Sequence, residues 1–274
     1  MKAVSVSLFG CAAALMALAR AAAADGLPDI LGVQLGMPVR EAYAKLESEL
    51  PKNAMQTQAT TLPTIDKPVL ASFFSAPKQQ VMLGMESDRV TVDVTLPPNK
   101  QSVWRVDRLH TFADKGILGS TLIAQLREKY GKETQALSEG LTPTTNDRDV
   151  RVLWWLLDEQ GRAANPATRT PSGANPSNAC KSDASLAWAN IVETPLNMYG
   201  NKDRLWCLAN DTEILVTFSP GGLPELYSQM HVAIVSLPMG SRAGAATAKW
   251  KQDAADAASK RDLDKAAQQQ KPKL

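Results

Sequence analysis

The two histidines of the chain, His110 and His231, are the residues best suited to metal or acid–base chemistry, yet each stands alone. Zinc and copper sites gather several His, Cys or carboxylate ligands at close spacing, and neither histidine has such neighbours. Asp107 precedes His110 by three residues and is placed to orient an imidazole. A histidine near a strand end is, however, more commonly a polar surface residue. The sequence therefore predicts no catalytic residue, no metal ligand and no cofactor.

The segment Ser75-Ala76-Pro77-Lys78 has the S-x-x-K spacing of certain acyl-transfer enzymes. In those enzymes the motif opens a helix, which places the lysine one turn above the serine. Pro77 restricts Ala76 to extended geometry and so opposes a helix at this position. We therefore expect no acyl-transfer site here.

The segment Asn146–Asp149 brings two carboxylates and an amide together, as calcium loops do. It lacks the following glycine and the distal glutamate of an EF-hand, and Arg148 adds a positive charge in its middle. We expect a solvated turn that precedes a strand.

Four of the tryptophans on predicted strands are candidates for the aromatic surface of a ligand groove. Tryptophans on strands more commonly belong to the hydrophobic core, because each one buries a large apolar area. We therefore expect core positions for Trp154, Trp155, Trp188 and Trp206.

The first 24 residues have the layout of a secretory signal peptide. Lys2 supplies the positive start, residues 3–19 are small or apolar, and Ala22 and Ala24 form an A-x-A cleavage pattern. We predict cleavage after Ala24 and a mature protein that is periplasmic, of the Gram-negative type, or secreted.

The cysteines fit an oxidising compartment. Cys11 ends a Leu-Phe-Gly-Cys sequence that is similar to a lipoprotein attachment box, so a lipid-anchored form is the alternative to simple cleavage. Cleavage leaves Cys180 and Cys207, and an even pair in an exported protein is most simply a disulfide. Two buried thiols are the alternative.

The charge is small in total and uneven along the chain. Loss of Lys2 and Arg20 with the signal lowers the formal net charge from +2 to 0. A neutral protein lacks the basic footprint of nucleic-acid binding. Residues 242–274 hold eight Lys or Arg against four Asp, so this tail carries +4 and the rest of the mature chain −4. The tail is suited to peripheral contact with a membrane or an acidic partner, or it is simply solvated.

Apolar periodicity predicts an α+β fold, with a predominantly antiparallel sheet, two amphipathic helices packed on it and a solvent-exposed C-terminal helix. The first helix begins at Pro38 and ends at Pro51. Its apolar face comprises Val39, Tyr43, Leu46 and Leu50. The second helix spans residues 121–130, with Ser120 as its N-cap and Gly131 just past its end.

The clearest strand spans residues 90–96 and alternates with period two. Val90, Val92, Val94 and Leu96 point to one face, whereas Thr91, Asp93 and Thr95 point to the other. Residues 86–89 are predicted to form the hairpin turn before it. Further strands are predicted at 69–75, 81–85, 102–110, 150–157, 186–193, 204–209, 213–218 and 227–237.

The predicted organisation after the signal peptide has three parts. Residues 25–140 form an N-terminal α+β module, and residues 141–240 form a mostly β module with a long loop at 160–184. The two are either similar α/β modules or halves of one domain. Residues 241–274 form a charged, Ala-rich helical tail. We expect residues from Arg242 onward to be dispensable for folding, because Trp250 and Leu263 are their only large apolar residues.

Two short motifs stand out in residues 30–135: a G-M-x-x-x-E-x-x-x-x-L opening and an L-x-x-K-Y-G helix ending. They are carried by Gly36, Met37, Glu41, Leu46, Leu126, Lys129, Tyr130 and Gly131. In these motifs the segment resembles the small outer-membrane-assembly lipoprotein (SmpA/OmlA-like) family and related inhibitor-like modules of the cell envelope. The resemblance implies protein binding on a small sheet rather than catalysis.

We therefore expect an exported, non-enzymatic envelope protein that binds another protein or an envelope component through a sheet face. Thr91, Asp93 and Thr95 are the candidate residues of that face. The alternative is a periplasmic hydrolase whose active site has no recognised motif.

Overall fold

A computed structural model of the chain describes residues 27–62, 65–78, 85–113, 116–139, 142–158, 160–164, 212–223 and 225–269. Within these residues the fold is α+β with a mostly antiparallel sheet, as predicted. The signal peptide, Cys180, Cys207 and the strands predicted at 186–193 and 204–209 lie outside the described residues.

One large antiparallel sheet dominates the structure, beside a small hairpin of β1 (Asp29–Ile30) and β2 (Val33–Gln34). The strands of the large sheet are β3 (Asn53–Leu62), β4 (Ile65–Pro77), β5 (Ser87–Val94), β6 (Val103–Thr111), β7 (Ile117–Leu118), β8 (Gln135–Leu137), β9 (Val152–Leu157), β10 (Thr212–Pro220) and β11 (Leu226–Ser236). Their spatial order is β3-β4-β5-β6-β11-β10-β9-β8, with β7 also paired to β11. The β6–β11 pair joins strands from both halves of the chain in one continuous sheet.

The helices are α1 (Val39–Glu49), α2 (Gly119–Tyr130) and α3 (Leu237–Gln269). The helix face of the sheet packs against α1 and α2, and one row of it is formed by Phe73, Val92, Val106, Ile234, Ile214 and Trp155. The second face is the opposite one, with a row formed by Phe74, Thr91, Asp107, Ala233, Leu215, Trp154 and Gln135. Side chains of a strand alternate between these two faces.

The first helix is as predicted. Pro38 precedes α1 with φ −58°, which suits a helix start, and Leu46 is fully buried against the helix face. The backbone N–H of Leu50 donates to the Leu46 carbonyl, and Pro51 then ends the helix. Local signals are sufficient to place this element.

Two predicted boundaries are wrong. Helix α2 begins at Gly119 without a side-chain cap, and the Gly119 N–H donates instead to the Glu225 carbonyl at 2.8 Å. Ser120 therefore lies inside the helix. The turn predicted at residues 86–89 is also largely strand, because Ser87 already pairs with Thr111 at the start of β5.

Strand β3 was not predicted. Its sequence, NAMQTQATTL, lacks apolar alternation, and residues 56–59 are exposed. An edge strand pairs on one side only and buries little, so its side chains carry little hydrophobic signal. The pairing with β4, which sets Thr57 opposite Phe73, gives β3 its place in the sheet.

Helix α3 starts earlier and docks more firmly than predicted. It begins at Leu237, directly after β11, and both Ala243 and Thr247 are buried. The Thr247 hydroxyl donates to the Pro97 carbonyl at 2.8 Å, and the Asn99 amide donates to the Ala243 carbonyl at 3.0 Å. Small residues therefore attach the first turns to the body. Beyond them the helix is mostly exposed, as expected.

Candidate functional site on the second face of the sheet

The predicted binding residues separate in the structure. Thr91 and Asp93 lie on the second face in β5, and both are half-buried. Thr95 follows the end of β5 and is buried. Its hydroxyl donates to the Lys100 carbonyl at 2.8 Å and accepts from the Ser102 N–H at 3.1 Å. Thr95 therefore stabilises the β5–β6 connection. The prediction that it belongs to an exposed binding face is wrong, because its side chain is buried.

The half-buried part of the second face holds four charged or titratable side chains, which we call the Arg105 cluster. Its members are Asp93, Arg105, Asp107 and His231. The Arg105 guanidinium lies 3.2 Å from Asp107 Oδ2 and 3.7 Å from Asp93 Oδ2. His231 Nε2 lies 2.8 Å from Asp107 Oδ1. The cluster thus connects three adjacent strands, β5, β6 and β11.

Sheet register brings the cluster together. Asp93 stands opposite Arg105, and Asp107 stands opposite Ala233 on β11. His231, two residues from Ala233, points to the same face and reaches Asp107 diagonally. The spacing of Arg105 and Asp107, two apart on one strand, was visible in the sequence, whereas the part played by His231 was not.

The two carboxylates of the cluster differ in their pKa. Burial raises the pKa of Asp93 to about 6, against the opposing charge of Arg105 and with the help of the nearby charge of Asp107. Burial also acts on Asp107, but the hydrogen bond from His231 and the charges of His231 and Arg105 outweigh it and lower the pKa of Asp107. Asp107 is therefore the firmly ionised partner of both basic groups.

The contact between Asp107 and His231 differs from the acid–histidine contact of a serine-protease triad. In a serine-protease triad the acid holds Nδ1 of the histidine, and Nε2 at the tip of the ring serves the nucleophile. Asp107 instead holds Nε2 of His231, the nitrogen that serves the nucleophile in a triad. The imidazole is therefore oriented by a carboxylate, but in the reverse sense to a triad.

Beside the Arg105 cluster the second face becomes apolar and contains Glu213. This residue is wholly buried on β10 between Val235 and Leu156, and neither carboxylate oxygen has a hydrogen-bond partner among the described residues. Burial raises the pKa of Glu213 to about 8. Trp154 Nε1 and Gln135 Oε1, on the same face, also lack a partner within that part of the chain. A neutral carboxylic acid is therefore held within an apolar layer.

The second histidine lies on the helix face, where it belongs to another ion-pair group. His110 is buried, and its Nδ1 lies 3.0 Å from Asp88 Oδ2. Arg108 donates two hydrogen bonds to Asp88, at 2.6 and 2.9 Å. Burial raises the pKa of Asp88, but the hydrogen bonds from Arg108 and His110 prevail and lower it to about 2. The expected surface position of His110 is wrong. Asp107 does not orient this histidine, because residues three apart on a strand point to opposite faces.

The S-x-x-K segment forms no catalytic arrangement. Ser75 is buried near the end of strand β4, whereas Lys78 is exposed and donates to the Pro51 carbonyl at 3.1 Å. The expectation of extended geometry at Ala76, the residue before Pro77, is confirmed by its place in β4.

The remaining candidates are structural. In the Asn146–Asp149 segment the Asn146 amide donates to Asp149 Oδ2 at 2.8 Å within a turn before β9, as predicted. Trp154 and Trp155 are buried core residues on opposite faces, also as predicted. Trp188 and Trp206 lie outside the described residues.

Neither a metal centre nor a membrane span is found in the described part of the chain. There, no three His, Cys, Asp or Glu side chains are grouped so that they could hold a metal ion. No helix among these residues is both long and apolar enough to cross a membrane. Comparison of the chain with protein-family models, curated proteins and solved structures gives no match, and so supplies no enzymatic activity for it.

Proposed function

We propose that this protein is an exported, non-enzymatic envelope protein that binds another protein, or an envelope component, through the second face of its sheet. The observation that carries the proposal is the Arg105 cluster. It presents positive and negative groups together on three paired strands, with Arg105 16% and His231 26% exposed.

The physical form of this surface suits a macromolecular partner. Thr91 and Asp93 extend the cluster along β5, so the polar area follows the sheet surface. Protein interfaces combine such polar groups with an apolar centre, and charges of fixed orientation contribute specificity. Leu215 and Trp154 continue the row of Asp107 on the same face, but both are buried, so the polar groups of the cluster are what this face offers to a partner.

The direct test is site-specific crosslinking in the producing cell. A photo-crosslinking residue at position 91 should yield a discrete adduct, and Asp93→Asn in the same chain should reduce that adduct several-fold. The matched control places the crosslinker at Glu47, an exposed position on α1. Equal adduct yields with and without the Asp93→Asn substitution, or the same adduct from position 47, would contradict the proposal.

The compartment and the Cys180–Cys207 disulfide are part of the proposal and have their own tests. Mass spectrometry of the mature protein should find Asp25 at its N-terminus. An intact Met1 or a lipidated Cys11 would contradict free export. Titration of the unreduced, denatured protein should find no reactive thiol, whereas two reactive thiols would exclude the disulfide.

A hydrolase is the second candidate, and the Asp107–His231 contact of 2.8 Å is the observation that favours it. A positioned imidazole is a general base for ester or peptide hydrolysis. The mature protein should then hydrolyse ester, peptide or glycan substrates of the envelope, and His231→Ala should abolish that activity. Turnover that survives His231→Ala, or no turnover at all, would exclude this candidate.

A further inference from the structure

The two lateral edges of the sheet differ strongly. The edge formed by β8 is three residues long, and Leu137 at its end forms a bridge with Pro143. The edge formed by β3 is ten residues long, and no described residue pairs with its outer side. Every second residue of β3 therefore directs its backbone N–H and C=O groups away from the sheet.

Strand β3 lacks the features by which sheet edges commonly avoid association. Between Asn53 and Leu62 there is no charged residue and no proline. The register shift after Gln58 leaves its extra residue, Ala71, on β4. The outer edge of β3 therefore continues without an inserted residue over Asn53–Thr60.

We propose that β3 pairs antiparallel with β3 of a second copy of this chain, so that the two sheets join across a two-fold axis at Thr57. Centring the axis there sets Thr57 opposite its own counterpart and Gln56 opposite Gln58. The outermost pair within the regular part of the edge is Ala54 with Thr60, so all the paired residues are uncharged.

The choice of a second copy follows from this neutrality and from the symmetry of the pairing. A two-fold axis sets each residue near its own counterpart, so any charge near the axis would face a like charge. No such repulsion arises in β3, and threonine is a favourable strand residue. Residues 56–59, at the centre of the pairing, are all exposed.

The size of the contact sets its strength. Pairing of a ten-residue edge adds backbone hydrogen bonds but buries less than the roughly 1,600 Å² of a standard stable interface. We therefore expect a reversible dimer with a dissociation constant in the micromolar range. This association goes beyond the proposed function, because it uses the sheet edge rather than the second face.

Sedimentation of the mature protein and two charged variants tests the proposal. Wild type should form a dimer at micromolar to submillimolar concentrations. Thr57→Lys and Thr57→Glu should each be monomeric, because like charges meet at the axis. An equimolar mixture of the two variants should recover the dimer, since opposite charges then face each other. Circular dichroism of each variant confirms that the exposed substitution leaves the fold unchanged.

A cysteine at the axis gives the second measurement. Thr57→Cys should form an intermolecular disulfide under mild oxidation, whereas Glu47→Cys on exposed α1 should not. A wild-type protein that stays monomeric would overturn the proposal. Dimers that persist in both charged variants, or charged variants whose mixture stays monomeric, would overturn it as well.

Discussion

The indole ring of Trp104 lies directly against the Cα of Gly240 in the first turn of α3. A β-carbon at position 240 would come within 2.6 Å of the ring atom Cε3. The close approach arises in the β5–β6 ladder, where Asp93 pairs with Arg105 but Val94 pairs with Val103. Trp104 is the extra residue of this bulge and packs on the second face.

We expect Gly240→Ala to lower the free energy of unfolding by about 1–3 kcal/mol, because the methyl group overpacks against the indole ring. Alanine gains about 1 kcal/mol in helix propensity, which offsets only part of this cost. Gly222→Ala is the control, since its β-carbon would meet open space. Urea unfolding measures both variants, and a Gly240→Ala protein as stable as wild type would contradict the close packing.

Glu213→Gln should make the protein more stable above pH 4.5. The folded pKa of about 8 exceeds the ordinary value of 4.5, so stability is complete below pH 4.5 and falls as pH rises toward 8. Between pH 4.5 and pH 8, each pH unit lowers the free energy of unfolding of wild type by roughly 1.4 kcal/mol. Glu213→Gln avoids this loss, so the variant should be more stable than wild type by about 3 kcal/mol at pH 7.

Thermal unfolding at pH 4 and pH 8 measures the effect of Glu213→Gln. The two proteins should agree at pH 4 and diverge at pH 8. The exposed Glu128→Gln is the control and should change neither value. A Glu213→Gln protein with the pH dependence of wild type would show that Glu213 is ionised in the folded state.

Asp88→Asn should destabilise the protein by about 2 kcal/mol at neutral pH. The folded pKa of about 2 lies below the ordinary value of 3.8, so this contribution is present above pH 4 and is lost as pH falls through 2. Wild type and variant should therefore converge in acid. Glu86→Gln, whose side chain is 66% exposed, should change stability by less than about 0.5 kcal/mol. Parallel unfolding curves of wild type and Asp88→Asn from pH 7 to pH 2 would argue against the ion pair.

Two truncations should separate the docked part of α3 from the rest. Deletion of residues 251–274 should shift Tm by at most a few degrees. Deletion of residues 242–274 removes Ala243, Thr247 and their hydrogen bonds to the 96–99 turn, so it should lower Tm by roughly 5–10 °C. Calorimetry of both proteins is the measurement. Equal Tm values would restore the expectation that the whole tail is dispensable.

Local patterns were sufficient for elements whose burial is complete or strictly periodic. The continuous apolar run Val152–Leu157 became a strand with all six residues buried, and Leu46 marked the buried face of α1. Each depends on neighbours within a few positions, which is the range over which spacing is informative.

The contacts of the candidate site depend on register between distant strands, which spacing does not encode. Asp107 contacts the imidazole of His231, which is 124 residues away in the sequence, and not that of His110, which is only three residues away. Thr95 has the alternation of a surface residue, but the strand ends before it and the turn to Ser102 encloses it. Glu213 begins the strand predicted at 213–218, and no spacing within that strand indicates that Glu213 lies between Val235 and Leu156.

The exposed part of α3 has a mechanical consequence. Residues 248–269 form 22 helical positions, and a rise of 1.5 Å per residue makes this segment about 33 Å long. Because Thr247 anchors the near end, the helix acts as a stiff spacer whose far end stands about one domain diameter from the last docked turn. The Lys and Arg residues of that spacer therefore stand at distances of up to about 33 Å from the last docked turn.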